Sequence, residues 1–140
     1  MMNMDEHPRV LLWNYTDEEK ASVDAFLAEV KAPPAVAIRK NQGYLLVSEI
    51  LQAQSGEREL ECDEKIALFY NIPNKGISFL IDQSKKRRLP QPIYAAVTEY
   101  SLNWPFNELV EDLIAEREAF RQAAQEKKNN RGNIITKNRK

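Results

Sequence analysis

Apolar residues fall along this chain in two patterns, short unbroken blocks and longer stripes at helical spacing, and the two patterns alternate. The first block, RVLLWNY from Arg9 to Tyr15, predicts a strand and runs directly into TDEEKASVDAFLAEVK. There Ala21, Val23, Phe26, Leu27 and Val30 supply an apolar face at helical spacing. Thr16 with Glu19 three residues later reads as a capping box that starts this helix. Ala-Pro-Pro ends it, because proline donates no backbone hydrogen bond and restricts the residue before it. AVAIRK then predicts a second strand.

The next stripe, Leu46, Val47, Ile50 and Leu51, predicts a helix that runs to Gly56, and ERELECDE reads as loop. KIALFYN, Lys65 to Asn71, predicts a third strand, and IPNKG opens a helix through ISFLIDQSKKRR. LPQP stops that helix, IYAAVT predicts a fourth strand, and PFNELVEDLIAEREAFRQAAQEKK a long last helix. Phe106, Leu109, Val110, Leu113, Ile114 and Phe120 form the stripe of the last helix. From Asn129 onward no period is sustained, and residues 129–140 read as a basic tail that frays.

The order strand, helix, strand, helix is therefore spelled twice, over 9–56 and 65–120, inside a single domain of residues 1–128. LLWNYTD aligns with LFYNIPN, PAVAIRK with PIYAAVT, and LVSEIL with LVEDLI, at offsets of 57, 58 and 63 positions. Three matches in the same order point to a duplication whose second copy has gained residues before its last helix. Strands that are apolar without alternation are expected to be covered on both faces. The simplest architecture is a mostly parallel four-stranded sheet, order 2-1-3-4, with two helices on each face. The alternative is a ferredoxin-like α+β fold with two extra helices.

In a parallel sheet, strands 1 and 3 would end side by side, where open α/β sheets bind ligands. Both end in asparagine. Asn14, Asn71, Thr98, Asn103 and Trp104 thus form the candidate ligand edge, against the plainer reading that asparagine turns the chain at strand ends. The KKRR run, Lys85, Lys86, Arg87 and Arg88, is a candidate basic patch, or simply a set of cations at a helix carboxyl end.

Composition narrows the chemistry. Of 140 residues 29% are charged and the net charge is −1, yet the stretch from Arg121 to Lys140 holds seven Lys or Arg against Glu126 alone. Weak RNA binding through this tail is one expectation, but it lacks the interleaved aromatic residues that stack on bases, which favours a solubilising role. No apolar run approaches the ~20 residues of a membrane span, and the start shows no secretory pattern, so a cytoplasmic setting is expected. The single cysteine, Cys62, and single histidine, His7, argue against a disulfide, a zinc or iron–sulfur site, and triad catalysis. No glycine-rich phosphate loop is present. No cofactor, no metal and no catalytic residue is expected.

At AVTEYSLNWPFNELVEDLIAERE, together with LFYNIPNKGISFLIDQSKKRRLPQPIYA, the chain resembles a bacterial family known as domain of unknown function 3783. In that family a strand ends in an Asn-Gly-Phe-Ser-like turn, and a later strand reads like Ala-Val-x-Thr-Pro-Thr-Asn-x-x-Trp before a closing helix. Asn71, Ala96, Val97, Thr98, Asn103 and Trp104 stand at matching spacing. Ile72 replaces the glycine of the turn, and Glu99, Tyr100 and Ser101 replace Pro, Thr and Asn. The resemblance covers Lys65 to Glu118, and the amino-terminal half is similar to the region preceding the domain in such proteins. It implies a small cytoplasmic bacterial protein of unknown function and transfers no catalytic role.

The leading expectation is a non-catalytic interaction module, pairing with a protein partner or with itself as a homodimer through Phe106, Leu113 and Phe120 of the last helix. About 24 helical residues span ~36 Å, against ~17–20 Å for a typical strand, so the far end of that helix outruns the sheet. The alternative is a small-molecule-binding protein or enzyme working at the candidate edge.

Overall fold

A computed structural model describes residues 6–138, with side-chain surroundings given through residue 127. The basic tail expected over 129–140 therefore lies outside the described side chains. The chain divides into two units, Met1–Val110 and Glu111–Lys140.

The first unit contains four strands, β1 (Arg9–Trp13), β2 (Ala35–Ile38), β3 (Ile66–Tyr70) and β4 (Ile93–Ala96), in one sheet of order β2-β1-β3-β4. Helix α1 (Asp17–Glu29) joins β1 to β2, α2 (Val47–Leu51) follows β2, and α3 (Asn74–Lys86) joins β3 to β4. The last helix, α4 (Phe106–Asn138), begins in this unit and makes up the second. The α/β class, the strand order and the helical coverage thus agree with the sequence pattern.

The strand directions do not. β1 runs parallel to β2 and β3 parallel to β4, but β1 and β3 are antiparallel, with Leu11 facing Leu68 at the centre of their register. The sheet is mixed, not mostly parallel. Helix α2 also differs from expectation, since it is predicted to reach Gly56 but ends at Leu51, with Ala53 in the left-handed region at φ 60°. The 14 residues from Gln52 to Lys65 could span roughly 46 Å if extended, but the Gly56 and Leu60 amides bond the Asn41 and Lys40 carbonyls and fold them back. The connection therefore enters β3 at the end where β2 finished.

Burial follows position in the sheet. β1 and β3 are buried almost throughout, whereas the edge strands are partly exposed and Val36 of β2 faces solvent. On one face Val10, Leu12, Ala67 and Phe69 pack with Val23, Phe26 and Leu27 of α1 and Leu80 of α3. On the other, the rings of Trp13 and Phe106 lie 5.2 Å apart, and Phe106 and Val47 are completely buried. Arg9 reaches across to donate to the Leu51 carbonyl at the end of α2.

The two halves make the same bonds at nearly constant offsets. Asn14 and Asn71, 57 positions apart, both take positive φ at a strand end, as do Lys31 and Arg88 after α1 and α3. The amide of Ala32 bonds the Leu27 carbonyl and that of Leu89 the Ser84 carbonyl, again 57 apart. Farther on the offset is 59. The Arg39 amide bonds the Gln42 side chain and the Thr98 amide the Ser101 hydroxyl, each at 2.8 Å. Leu46 and Pro105 meet in an isolated antiparallel bridge, so the helix starting at Val47 corresponds to the one starting at Phe106. By position in the fold LVSEIL thus corresponds to PFNELV, whereas residue identity pairs it with LVEDLI. Buried Val47, Ile50 and Leu51 then fall on buried Phe106, Leu109 and Val110.

Candidate functional site

Because β1 and β3 are antiparallel, the strand-to-helix turns after them lie at opposite ends of the sheet, and each asparagine works locally. Asn14 Nδ2 donates to the Asp63 carbonyl at 2.7 Å and Asn71 Nδ2 to the Glu6 carbonyl at 2.6 Å. Each thus ties a left-handed turn to the chain three residues before the neighbouring antiparallel strand. Asparagine suits such a turn because its short amide tolerates positive φ and bonds nearby backbone. The proposed single edge of Asn14, Asn71, Thr98, Asn103 and Trp104 is accordingly not formed. Asn71 and Thr98 do line one cavity, while the Trp104 carbonyl accepts from the Val47 amide beside α2 and Asn103 is exposed in the preceding turn.

The end of the sheet at Asn14 is closed. The connection after α2 crosses it: Gln42 donates to the Gln54 carbonyl, Trp13 Nε1 to Cys62, and the Gly56 and Leu60 amides bond Asn41 and Lys40 carbonyls. Gly43 allows this crossing, since a Cβ there would fall 2.2 Å from the Leu60 Cβ. At the start of α1 both halves of the predicted capping box form, the Glu19 amide to Thr16 Oγ1 at 3.1 Å and the Thr16 amide to Glu19 Oε1 at 2.9 Å. Lys65 Nζ stands 3.0 Å from Glu19 and 5.7 Å from the centre of the Tyr15 ring. The Thr16 amide, with Lys65 beside it, lowers the Glu19 pKa, and burial, with Tyr94 and Glu19 adding to it, raises that of Tyr15.

The end at Asn71 is open. At the 57-residue offset Ile72 replaces Tyr15, Pro73 replaces Thr16, Gly76 replaces Glu19 and Pro8 replaces Lys65. These four positions, with Val30, Ala32, Pro33, Phe79 and Leu80, border an apolar cleft of about 280 Å³. Phe79 is 49% exposed there. A second cavity of about 370 Å³ shares Asn71, Ile72 and Pro73 with it and is completed by Phe69, Asn74, Ala96, Val97 and Thr98. Helix α3 begins after Pro73 with no side-chain cap and no acidic residue in its first turn. Pro8, Pro33, Gly76 and Phe79 were not singled out from sequence, although Pro73 and Gly76 in place of a capping box are visible once the halves are aligned.

The KKRR run does not present four free cations. Arg87 pairs with Glu29 and lies 5.0 Å from the centre of the Phe26 ring, binding the end of α3 to that of α1, and Lys86 stands 3.3 Å from Asp82. The Arg87 guanidinium holds the Glu29 carboxyl below its ordinary pKa. Among the described residues no three His, Cys, Asp or Glu side chains gather as metal ligands, and no helix is long and apolar enough to cross a membrane.

In the second unit the described part of α4 is nearly bare. Leu113 is buried, but every residue from Ala119 to Lys127 is exposed, Phe120 by 76%. Phe106, Leu113 and Phe120 recur every seven residues and so fall on one side of the helix, whose visible ion pairs here are Glu118 with Arg117 and Arg121.

Residues 65–120 match the family model described as Domain of unknown function (DUF3783), which takes in β3, α3, β4 and α4 as far as Phe120. No curated protein and no solved structure matches the chain.

Proposed function

We propose that this chain is a non-catalytic protein-interaction module, built by duplication of a β-α-β-α unit, that associates through the far part of α4. One observation carries the reading: Phe120 is an aromatic side chain, 76% exposed, seven residues beyond buried Leu113 on the same side of the helix. A large exposed aromatic in line with a buried stripe is the pattern of a surface completed by a partner. The duplication is supported by the matching asparagine turns, the paired Gln42 and Ser101 bonds and the reciprocal bridge at Leu46 and Pro105. With the bacterial resemblance of the second half, a small cytoplasmic bacterial protein is the setting we propose.

Sedimentation velocity over a wide concentration range tests the association. A mass that rises with concentration and falls back to the monomer in Phe120→Ser is the expected result. An unchanged mass in the variant removes α4 from the reading.

A second reading, ligand binding at the open end, is favoured by the two adjoining cavities around Asn71, Ile72 and Pro73. Filling the cleft with Gly76→Glu is then expected to abolish the chemical-shift changes that small aromatic fragments induce at Phe79. If the changes persist in the variant, the cleft is not their site.

A further inference from the structure

We infer that the partner of α4 is a second copy of the same helix, laid alongside it in the opposite direction. This rests on the reading above, which has α4 as the associating element, and it adds the identity and direction of the partner. The basis is the order of charge along the helix. From Glu111 to Glu118 the sequence carries Glu111, Asp112, Glu116 and Glu118 against Arg117 alone, and from Arg121 onward it carries seven Lys or Arg against Glu126 alone. Acidic and basic blocks thus follow one another along the chain, and five of the seven basic residues fall inside α4, which ends at Asn138.

Two such helices side by side in the same direction would set acid against acid and base against base. Reversing one of them sets each acidic block against a basic one, and does so twice because the pair is symmetric. Phe120, near the boundary between the blocks, then lies close to the crossing point, flanked by Ala119, Ala123 and Ala124, whose small side chains let the helices approach. The aromatic residue supplies the apolar anchor and the charge order supplies the direction. The apolar anchor and the whole acidic block fall within the segment matched by the family model, and the basic block falls beyond it.

The test uses the full chain carrying Cys62→Ser, so that introduced cysteines are the only thiols. Ala115→Cys and Asn130→Cys stand about 22 Å apart on one helix. In an antiparallel pair centred near Ala123 they come together only between different copies. A mixture of the two variants treated with a short bismaleimide is expected to give far more cross-linked dimer than either variant alone. Attraction between exposed charge blocks is screened by salt, so dissociation is expected to become at least roughly tenfold easier between about 0.05 M and about 1 M salt. A dimer that cross-links through Ala115→Cys alone overturns the antiparallel arrangement and leaves self-association standing. A chain that stays monomeric at every concentration and salt overturns the inference, and with a heterologous protein captured by Phe120 it would leave only the broader reading. Phe120→Ser serves as the control, since an exposed site leaves the circular dichroism of the fold unchanged.

Discussion

At the carboxyl end of β1, Thr16 and Glu19 form a capping box, Lys65 pairs with Glu19 beside the Tyr15 ring, and the connection after α2 is tied to the strand end by Asn14 bonding the Asp63 carbonyl. At the carboxyl end of β3 the corresponding positions are Pro73, Gly76, Pro8 and Ile72, and they border an open cleft. The backbone is nearly the same at both ends, down to an asparagine at positive φ. What differs is side-chain chemistry and where the chain goes next. After β2 it makes a five-residue helix and folds back over its own strand ends, whereas after β4 it departs into α4. One frame thus carries one sealed end and one available end.

The shared frame is tested where the halves meet. Leu11 and Leu68 face each other and are fully buried. Each change to alanine is expected to cost about 3 kcal/mol in denaturant unfolding, and the two losses should agree closely. A large disparity would mean that the halves are not energetically equivalent. Next in size is the seal. Gly43→Ala forces its Cβ against the backbone-anchored Leu60 Cβ and is expected to cost about 2 kcal/mol, while the corresponding Leu102→Ala, with no segment crossing it, should cost distinctly less.

The ends can also be exchanged. Thr16→Ala removes the cap of α1 and is expected to lower stability by about 1 kcal/mol. Gly76→Ala should raise it by about 0.5 kcal/mol through helix propensity, provided that Ile72 Cγ2, 3.1 Å from the new Cβ, moves aside. Thermal melts of the two variants check both signs. The smallest effect is electrostatic. Glu19 has its folded-state pKa lowered, so its contribution is complete above the unfolded value of about 4.3 and is lost as pH falls through the lower folded value. Glu19→Gln is therefore expected to shrink the fall in melting temperature between neutral and strongly acid pH. An unaltered fall would mean that the carboxylate has no energetic share in the sealed end.

Much of this was readable from local pattern. Thr16 and Glu19 announce a helix start because both groups of a capping box lie within four residues, and the blocks around Leu11 and Leu68 announce strands as short unbroken apolar runs, although AVAI and IYAA read alike and form the partly exposed edges. The asparagine turns were visible too, but their grouping was not. Whether Asn14 and Asn71 share an end depends on the direction of β3, and that follows from a connection folded back by the Gly56 and Leu60 amides on the Asn41 and Lys40 carbonyls, a meeting that no apolar stripe encodes. The correspondence of LVSEIL divides for a related reason: residue identity favours LVEDLI, whereas burial and the Leu46–Pro105 bridge favour PFNELV.

The sequence by itself determined the succession of strands and helices, the absence of familiar catalytic motifs and the charge order along the last helix, because each is written in neighbouring residues. Only the tertiary structure decided the antiparallel centre of the sheet, the sealing of one end by the connection after α2 and the opening of the cleft at Asn71. Those features arise from segments tens of residues apart, whose meeting is governed by hydrogen bonds across the connection and the packing of buried side chains, and no local spacing records it.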